Sequence, residues 1–483
     1  MIQSIRNLAF TTFVGKIVGR ISSYGMVLLL AWRFGPVAVG IFSFGKVTLQ
    51  IGKTLSTAGL VNIAQKYVSI YRANEEQQKL NGLVVACIGA VTVLGLAFSG
   101  VLLLNDDIVT VLSGKSNNSF TRIFVIGIPF FAIATISAAI TRGFKRAKYS
   151  VYILDIGFFT ASFLITGAIV ILNPSFELVV LGYVGATVLS SLLGIYALTR
   201  FDMISLDSGF DFDLRSIIPE GARMFGIGIS QQSVVWADIV FLAYLTSAGT
   251  VGRYEVAYQT AALLGFALVA VNSVFPAIAA GLYNDNEIEQ LSAYYKAITK
   301  WITYLTVIAA SGLVLFGRSY VGLLSEEFVS IVPVLAVLAA ARVVAVGTGP
   351  AGMLLMMADK ERTELLNSAA VAIANLILNF VLVNRYGMFG AAIASSLSLS
   401  VVNIIRALQV RHYLSIAPYD REIFDHVWGV GAAIGGIVVV RLVGGSSILA
   451  AIVAAIVGIS IFALTIMNIG LSERDTSLIS SID

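Results

Sequence analysis

The chain is poor in the residues that build most catalytic centres. Its 483 residues include one cysteine, Cys87, and two histidines, His412 and His426. A single thiol excludes an intramolecular disulfide and any cysteine-based metal site. The two histidines flank one predicted loop, so no imidazole set is available for a metal or a general base. Charge is scarce too: Asp, Glu, Lys and Arg make up 12% of the chain, against about 25% in soluble domains. There is no Walker phosphate loop, nucleophile elbow or zinc motif. Nor is there an Asp-rich loop or a large external domain of the kind a polyprenyl-dependent glycosyltransferase or ligase carries. These absences argue against an enzyme and against a bound cofactor. The net charge of +4 sits in short loops, which speaks to membrane orientation rather than to nucleic acid.

What the chain has instead is apolar length, at 58% hydrophobic residues. A membrane helix needs about 20 mostly apolar residues. That template predicts an all-α polytopic membrane protein with about 14 spans. The first two fall near Leu8–Phe34 and Val37–Gln65, the seventh and eighth near Met224–Leu245 and Val256–Leu282, the eleventh and twelfth near Leu365–Val383 and Phe389–Val410. The opening segment is long, bears Lys and Arg and lacks a small-residue cleavage site, so it reads as a span rather than a cleaved signal. Alternate loops starting with Lys66, Arg72 and Lys79 are rich in Lys and Arg, while those holding Arg33, Lys115 and Arg385 are poor. The bias predicts a multi-pass protein of the cytoplasmic membrane with both termini in the cytoplasm.

The chain also repeats itself. Phe124-Val125-Ile126-Gly127-Ile128-Pro129 returns as Phe328-Val329-Ser330-Ile331-Val332-Pro333, an offset of 328 − 124 = 204. Gly182-Tyr183-Val184-Gly185 returns as Gly387-Met388-Phe389-Gly390, and Val39-Gly40-Ile41-Phe42 as Val251-Gly252-Arg253-Tyr254. Matches in the same order at similar offsets indicate duplication. They predict two parallel six-helix repeats around a central cleft, residues 1–205 and 206–415, joined by the acidic stretch Asp202–Glu220. Residues 416–483 add two peripheral helices. Parallel repeats are a transporter architecture that supports rocking between inward-open and outward-open states. Pro129, Pro276, Pro333 and Pro350 interrupt spans and would permit bends.

Four cations lie in the first two spans: Lys16, Arg20, Lys46 and Lys53. Each costs roughly 2.5–3.5 kcal/mol at the centre of a membrane helix, so together they oppose insertion by roughly 10 kcal/mol. Lys16 and Arg20 share one helical face, as do Lys46, Gln50 and Lys53. Arg20 and Lys46 are too deep to reach the interface easily, whereas Lys16 and Lys53 also fit an interfacial, snorkelling position. The functional reading is a basic wall for an anionic substrate, Arg forking across two oxygens and Lys acting as a point charge. Arg342 in the tenth span is a further candidate; Arg406 reads as interfacial. Among acids in spans, Asp238 and Asp155 either bind a coupling H+ or Na+ or pair with the cations, and Glu255 reads as a residue of the outer interface. Gly15 and Gly19 form a small-residue face for close helix packing. Trp236, Tyr244, Tyr258 and Phe275 would either line a sugar-binding cavity or pack.

Several stretches together resemble one family. They are the opening span Asn7–Gly35, the turn Phe34-Gly35-Pro36-Val37-Ala38-Val39-Gly40-Ile41-Phe42, Arg142-Gly143-Phe144 with its basic loop, and the turn Asn384-Arg385-Tyr386-Gly387-Met388-Phe389-Gly390-Ala391-Ala392. Over nearly its whole length the chain is similar to the polysaccharide (O-antigen) repeat-unit flippases of the multidrug/oligosaccharidyl-lipid/polysaccharide exporter superfamily. The resemblance implies a flippase for a polyprenyl-(pyro)phosphate-linked oligosaccharide. Such a protein works by alternating access and feeds surface polysaccharide or protein glycosylation. Its implied partners are the lipid-linked oligosaccharide, membrane lipids, and glycosyltransferases, a polymerase or a ligase. The same superfamily holds cation-coupled multidrug antiporters, which a basic wall disfavours, and peptidoglycan-precursor flippases, which it does not. A non-transport scaffold for glycan-assembly enzymes is the remaining alternative. The carrier would be undecaprenyl, or dolichyl in an archaeal host.

Overall fold

The structure is a computed structural model that describes residues 2–105, 118–201, 203, 214–358 and 360–470. The acidic connector expected over Asp202–Glu220 lies outside the described residues apart from Met203 and the stretch from Leu214, which is already helical. Among the described residues there is no strand, and 11 helices are long and apolar enough to cross a membrane.

Two of these are too long for one crossing. Val14–Thr57 has 44 residues and Glu361–Leu414 has 54, where about 20 suffice. The first belongs to helix α1 (Ile2–Thr57), which breaks at Gly35 with φ 76° and ψ −176°. This region is essentially closed to any residue with a Cβ. The arms of α1 run antiparallel, as their packing shows. Gly15, Gly19 and Gly25 lie against Val151, Asp155 and Phe163 in turn, while Gly45 and Gly52 lie against Phe124 and Ile128. The two partner stretches are themselves joined by the tight turn after Gly143, where Lys145 has φ 56°. Each arm ascends alongside its partner, and the partners reverse, so α1 must reverse as well. Both arms of α1, and both of the later hairpin, together with the 32-residue helix Leu214–Leu245 make a count compatible with fourteen crossings.

The chain continues through α2 (Leu60–Ala73), α3 (Gln77–Leu104), α4 (Asn118–Ile126) and α5 (Ile128–Gly143). Next come α6 (Ala147–Leu172) and α7 (Phe176–Arg200). Then follow α8 (Leu214–Leu245), α9 (Ala248–Ala262), α10 (Phe266–Asn284), α11 (Ile288–Leu315), α12 (Val332–Gly347) and α13 (Ala351–Met357). The last are the hairpin α14 (Glu361–Leu414), α15 (Val427–Gly444) and α16 (Ile448–Ile469). The repeated Pro129 and Pro333 have the same local role. Each is the second residue of a helix, after the break at Gly127 or after the 3-10 turn Glu326–Ile331. There the missing proline N–H costs nothing. Pro350 caps α13 and Pro276 stays inside α10. The Gly182/Gly387 match is not one of position: Gly182 is inside α7, whereas Gly387 (φ 55°, ψ −132°) is the apex of α14.

By compactness the chain divides into residues Met1–Glu255 and Val256–Asp483. The first unit has a core of Ile63, Leu83, Val84, Ile136, Ile140 and Leu198, each at most 1% exposed. In the second, Tyr304, Ile308, Val430, Ile437 and Phe462 join α15 and α16 to α11. Leu164, Ile171, Leu366, Ile373, Ile456 and Ile459 are exposed. In a chain of this composition such side chains face lipid.

Candidate functional site: charges at membrane depth

The second arm of α1 presents Lys46, Gln50 and Lys53, and each finds a different partner. Lys46 Nζ forms an ion pair with Glu255 at 2.5 Å, the two side chains 12% and 4% exposed. Glu255 is therefore buried rather than interfacial. The expectation failed because α9 starts at Ala248, which sets Glu255 about 10 Å along the helix at 1.5 Å per residue. Backbone contact draws the two helices together. A Cβ on Gly40 would meet the Ala248 carbonyl oxygen at 1.8 Å, and one on Gly252 the Pro36 carbonyl oxygen at 1.9 Å. Close by, Trp236 Nε1 donates to Gln50 Oε1 at 3.1 Å, and the Tyr254 hydroxyl donates to the carboxylate of Asp238. Asp238 and Tyr254 are both 1% exposed. Lys53 turns elsewhere, its ammonium 5.5 Å from the centroid of the Phe131 ring, a cation–π contact.

A second charged group gathers where the first arm of α1 meets α6. Gly15 and Gly19 do serve close packing: Cβ atoms there would lie 2.1 Å from Val151 Cγ1 and 3.0 Å from Asp155 Oδ1. The stretch Val151–Thr160 is π-helical, a distortion that often marks functional sites. Thr160 Oγ1 donates to the Asp155 carbonyl at 3.0 Å, and Ser22 Oγ donates to Thr160 Oγ1 at 3.4 Å. Lys16, Arg20 and Arg142 all act electrostatically on Asp155. Lys16 and Arg20 are exposed and Asp155 is half-buried. Arg142 also donates to Gln65 Oε1 at 3.0 Å. Sequence reasoning assigned Arg142 to a basic loop and missed both its reach to Asp155 and the π-helical turn. The Gly15/Gly19 face signalled close packing but not what packs there.

In the second unit the Arg342 guanidinium lies 5.6 Å from the Tyr258 ring centroid. Arg406, read from the sequence as interfacial, is engaged in an ion pair within the fold. Its Nε donates to Glu364 Oε2 at 2.9 Å and its Nη2 to Oε1, across the α14 hairpin. Asn367 and Gln409 exchange hydrogen bonds of 2.7 and 3.0 Å beside it. Phe275 is 1% exposed and packs on Tyr295, so it belongs to the core, whereas Tyr244 is exposed.

The sequence profile of the polysaccharide biosynthesis protein family matches residues 5–281, more than half of the chain. The chain belongs to that family. Two curated relatives come from Haloferax volcanii. The probable low-salt glycan biosynthesis flippase Agl15 is 26% identical over 182 residues, 37% of this chain and 38% of that protein. The probable flippase AglR is 29% identical over 189 residues, 37% of this chain and 39% of that protein. The chain thus matches less than half the length of either relative. The solved structure of the lipid II flippase MurJ in an inward closed conformation superposes with a TM-score of 0.69 at 14% identity, covering 94% of this chain and 97% of that one. At that identity the likeness shows a shared fold. For this family member, the glycines, prolines and charges described above are therefore set on a helical fold shared with that structure.

Proposed function

We propose that this protein is a flippase that carries a polyprenyl-(pyro)phosphate-linked oligosaccharide across the cytoplasmic membrane by alternating access, for surface polysaccharide or protein glycosylation. The observation that carries the reading is the exposed pair Lys16 and Arg20 at membrane depth, in a member of a polysaccharide biosynthesis family. Cations in a span are costly unless they meet an anion. Lys16 and Arg20 are exposed beside Asp155, where an arriving phosphate ester can reach them, and the lipid tail stays in the bilayer as the glycan passes.

Arg20 takes the phosphate in this mechanism, with its planar fork matched to two oxygens, and Lys16 and Lys53 add charge. Asp155 competes with the substrate for Arg20. A coupling H+ or Na+ at Asp155 removes that competition and makes Arg20 available, so ion entry and substrate binding become linked. Asp238, held by Tyr254, is the second coupling candidate. The termini lie in the cytoplasm, where glycosyltransferases build the substrate, and a polymerase or ligase receives it outside. The names of the Haloferax volcanii relatives, both probable flippases, favour this reading over an antiporter for cationic drugs.

The test is proteoliposome transport of a fluorescent lipid-linked oligosaccharide, read by lectin access to each leaflet. The wild type equilibrates the leaflets; Arg20→Ala slows this at least tenfold with unchanged protein incorporation. Asp155→Asn flips substrate without dependence on an imposed H+ or Na+ gradient. Undiminished flipping by Arg20→Ala would remove the phosphate role, and a wild type that moves no lipid-linked glycan would remove the function.

A further inference from the structure

The arms of the α14 hairpin are tied by Arg406 with Glu364, Asn367 with Gln409, and Asn375 Nδ2 donating to Ser398 Oγ at 3.2 Å. These bonds fix the spacing of the arms. Along the same seam the arms leave a groove of about 360 Å³, lined by Ala370, Ala374, Leu397, Val401 and Ile405, with Asn367 and Ser398 as its polar edge. Alanines line the first arm there, too small to fill the space that the polar ties hold open. The volume falls within the roughly 300–1,000 Å³ of small-molecule sites. Leu366, Ile373, Ile377, Val401 and Ile404 beside it are exposed, so the medium at the groove is hydrocarbon.

An alkyl chain fits this lining, but lipid tails are as apolar as the side chains they would touch. Selectivity must come from the headgroup. Stepping from Asn367 toward the start of the helix by four and then three residues leads to Thr363 and Lys360. Stepping from Ile405 by four and three toward its end leads to Gln409 and His412. Residues so spaced share one face. The groove therefore runs out between Lys360 and His412. Lys360 Nζ lies 4.9 Å from the ring centroid of Tyr413, and Arg362, Arg411 and His412 are exposed. Among the described residues Arg362 and Arg411 enter no ion pair; Asp359 and Glu361 are the acids beside them in the sequence. Lys360, Arg362 and Arg411 against those two acids leave the mouth of an apolar groove with a net positive charge, at the helix ends where a phosphate headgroup would sit.

We infer that this groove binds one chain of an anionic membrane phospholipid whose phosphate rests against Lys360, Arg411 and His412. The lipid is a bound companion of the α14 hairpin, separate from the charges of α1. The full-length protein in detergent is mixed with equal amounts of phosphatidylglycerol and phosphatidylcholine, and retained lipid is read by native mass spectrometry. The wild type retains phosphatidylglycerol at least tenfold over phosphatidylcholine. Lys360→Gln with Arg411→Gln retains the two lipids to within about twofold of each other, at about 1 kcal/mol per charge removed near the surface, and keeps its thermal midpoint. Ala374→Leu, which fills the groove, lowers retention of both lipids. Equal retention of the two lipids by the wild type, or an unchanged preference in the charge variant, overturns the proposal. So does stoichiometric displacement of phosphatidylglycerol by a polyprenyl phosphate, which would give the groove to the transported carrier. The charge variant changes only positions at the hairpin ends, so it decides the matter even if Ala374→Leu does not fold.

Discussion

Lys46 and Glu255 show what a charge in a span requires. With the side chains 12% and 4% exposed, neither is solvated by bulk water, and each is tolerable because the other is there. Removing one partner of such a pair costs about 3–5 kcal/mol, since a buried charge is left uncompensated. Glu255→Gln is therefore expected to destabilise strongly, with a marked fall in thermal midpoint in detergent. The double variant Lys46→Met/Glu255→Leu should recover most of the loss, because replacing both charges by apolar groups is often neutral. A double variant as unstable as the single one would show that the pair is not a unit. The same logic separates Lys46 from Arg20. Lys46 already has its anion in the fold, whereas Arg20 is exposed beside a carboxylate that it shares with Lys16 and Arg142. On the proposed function, Arg20 rather than Lys46 is the residue expected to meet a substrate phosphate, because it is exposed while Lys46 is enclosed with Glu255. The acid that holds Lys46 lies 209 positions away, a pairing no local pattern could reveal.

At the scale of elements, the hairpins hinge on glycines that the sequence already marks. Gly35 and Gly387 follow Arg33-Phe34 and Arg385-Tyr386, and both take positive φ at the apex of a reversal. The close return at Gly387 is direct: a Cβ on Gly390 would meet the Leu382 carbonyl oxygen at 2.0 Å. Gly35→Ala is expected to cost about 1–3 kcal/mol, the price of a side chain in that region of backbone space. Gly100→Ala, inside α3 with open space around its Cβ, should be neutral or slightly stabilising through helix propensity. Equal thermal midpoints for the two variants would refute the assignment of Gly35 as an obligatory apex. Spans, turns and the Pro129/Pro333 equivalence were legible because they rest on local composition and steric rules. Two features were not. The start of α9 was hidden because Ala248 to Glu255 holds glycines, Arg253 and Glu255, which lower its hydropathy although the helix is continuous. The π-helical turn around Asp155, which packs against Gly15 and Gly19, has no signature in composition.

For the whole molecule, the loop charges make a claim about sidedness that the fold alone leaves open, and the cysteine content supplies a clean way to test it. Cys87 is 1% exposed, so the unmodified chain should be silent toward a membrane-impermeant maleimide. Lys79 and Arg385 are both exposed at opposite ends of their spans, Lys79 in a Lys/Arg-rich connection and Arg385 at the apex of α14. With both termini in the cytoplasm, Arg385→Cys reacts in intact cells, while Lys79→Cys reacts only after the membrane is opened. The reverse pattern would invert the molecule, and with it the direction in which the substrate is presented. Sidedness bears on mechanism through the contact of Gly40 with Gly252. In the orientation set by the loop charges, that contact lies near the outer end of the second span, with the Lys46–Glu255 pair directly inside it. A phosphate arriving from the cytoplasm would then reach Lys16 and Arg20 first and meet the ion pair last. In that orientation the exposed cations would lie on the cytoplasmic side of the Lys46–Glu255 pair, so reversed labelling of Arg385→Cys and Lys79→Cys would reverse this order too.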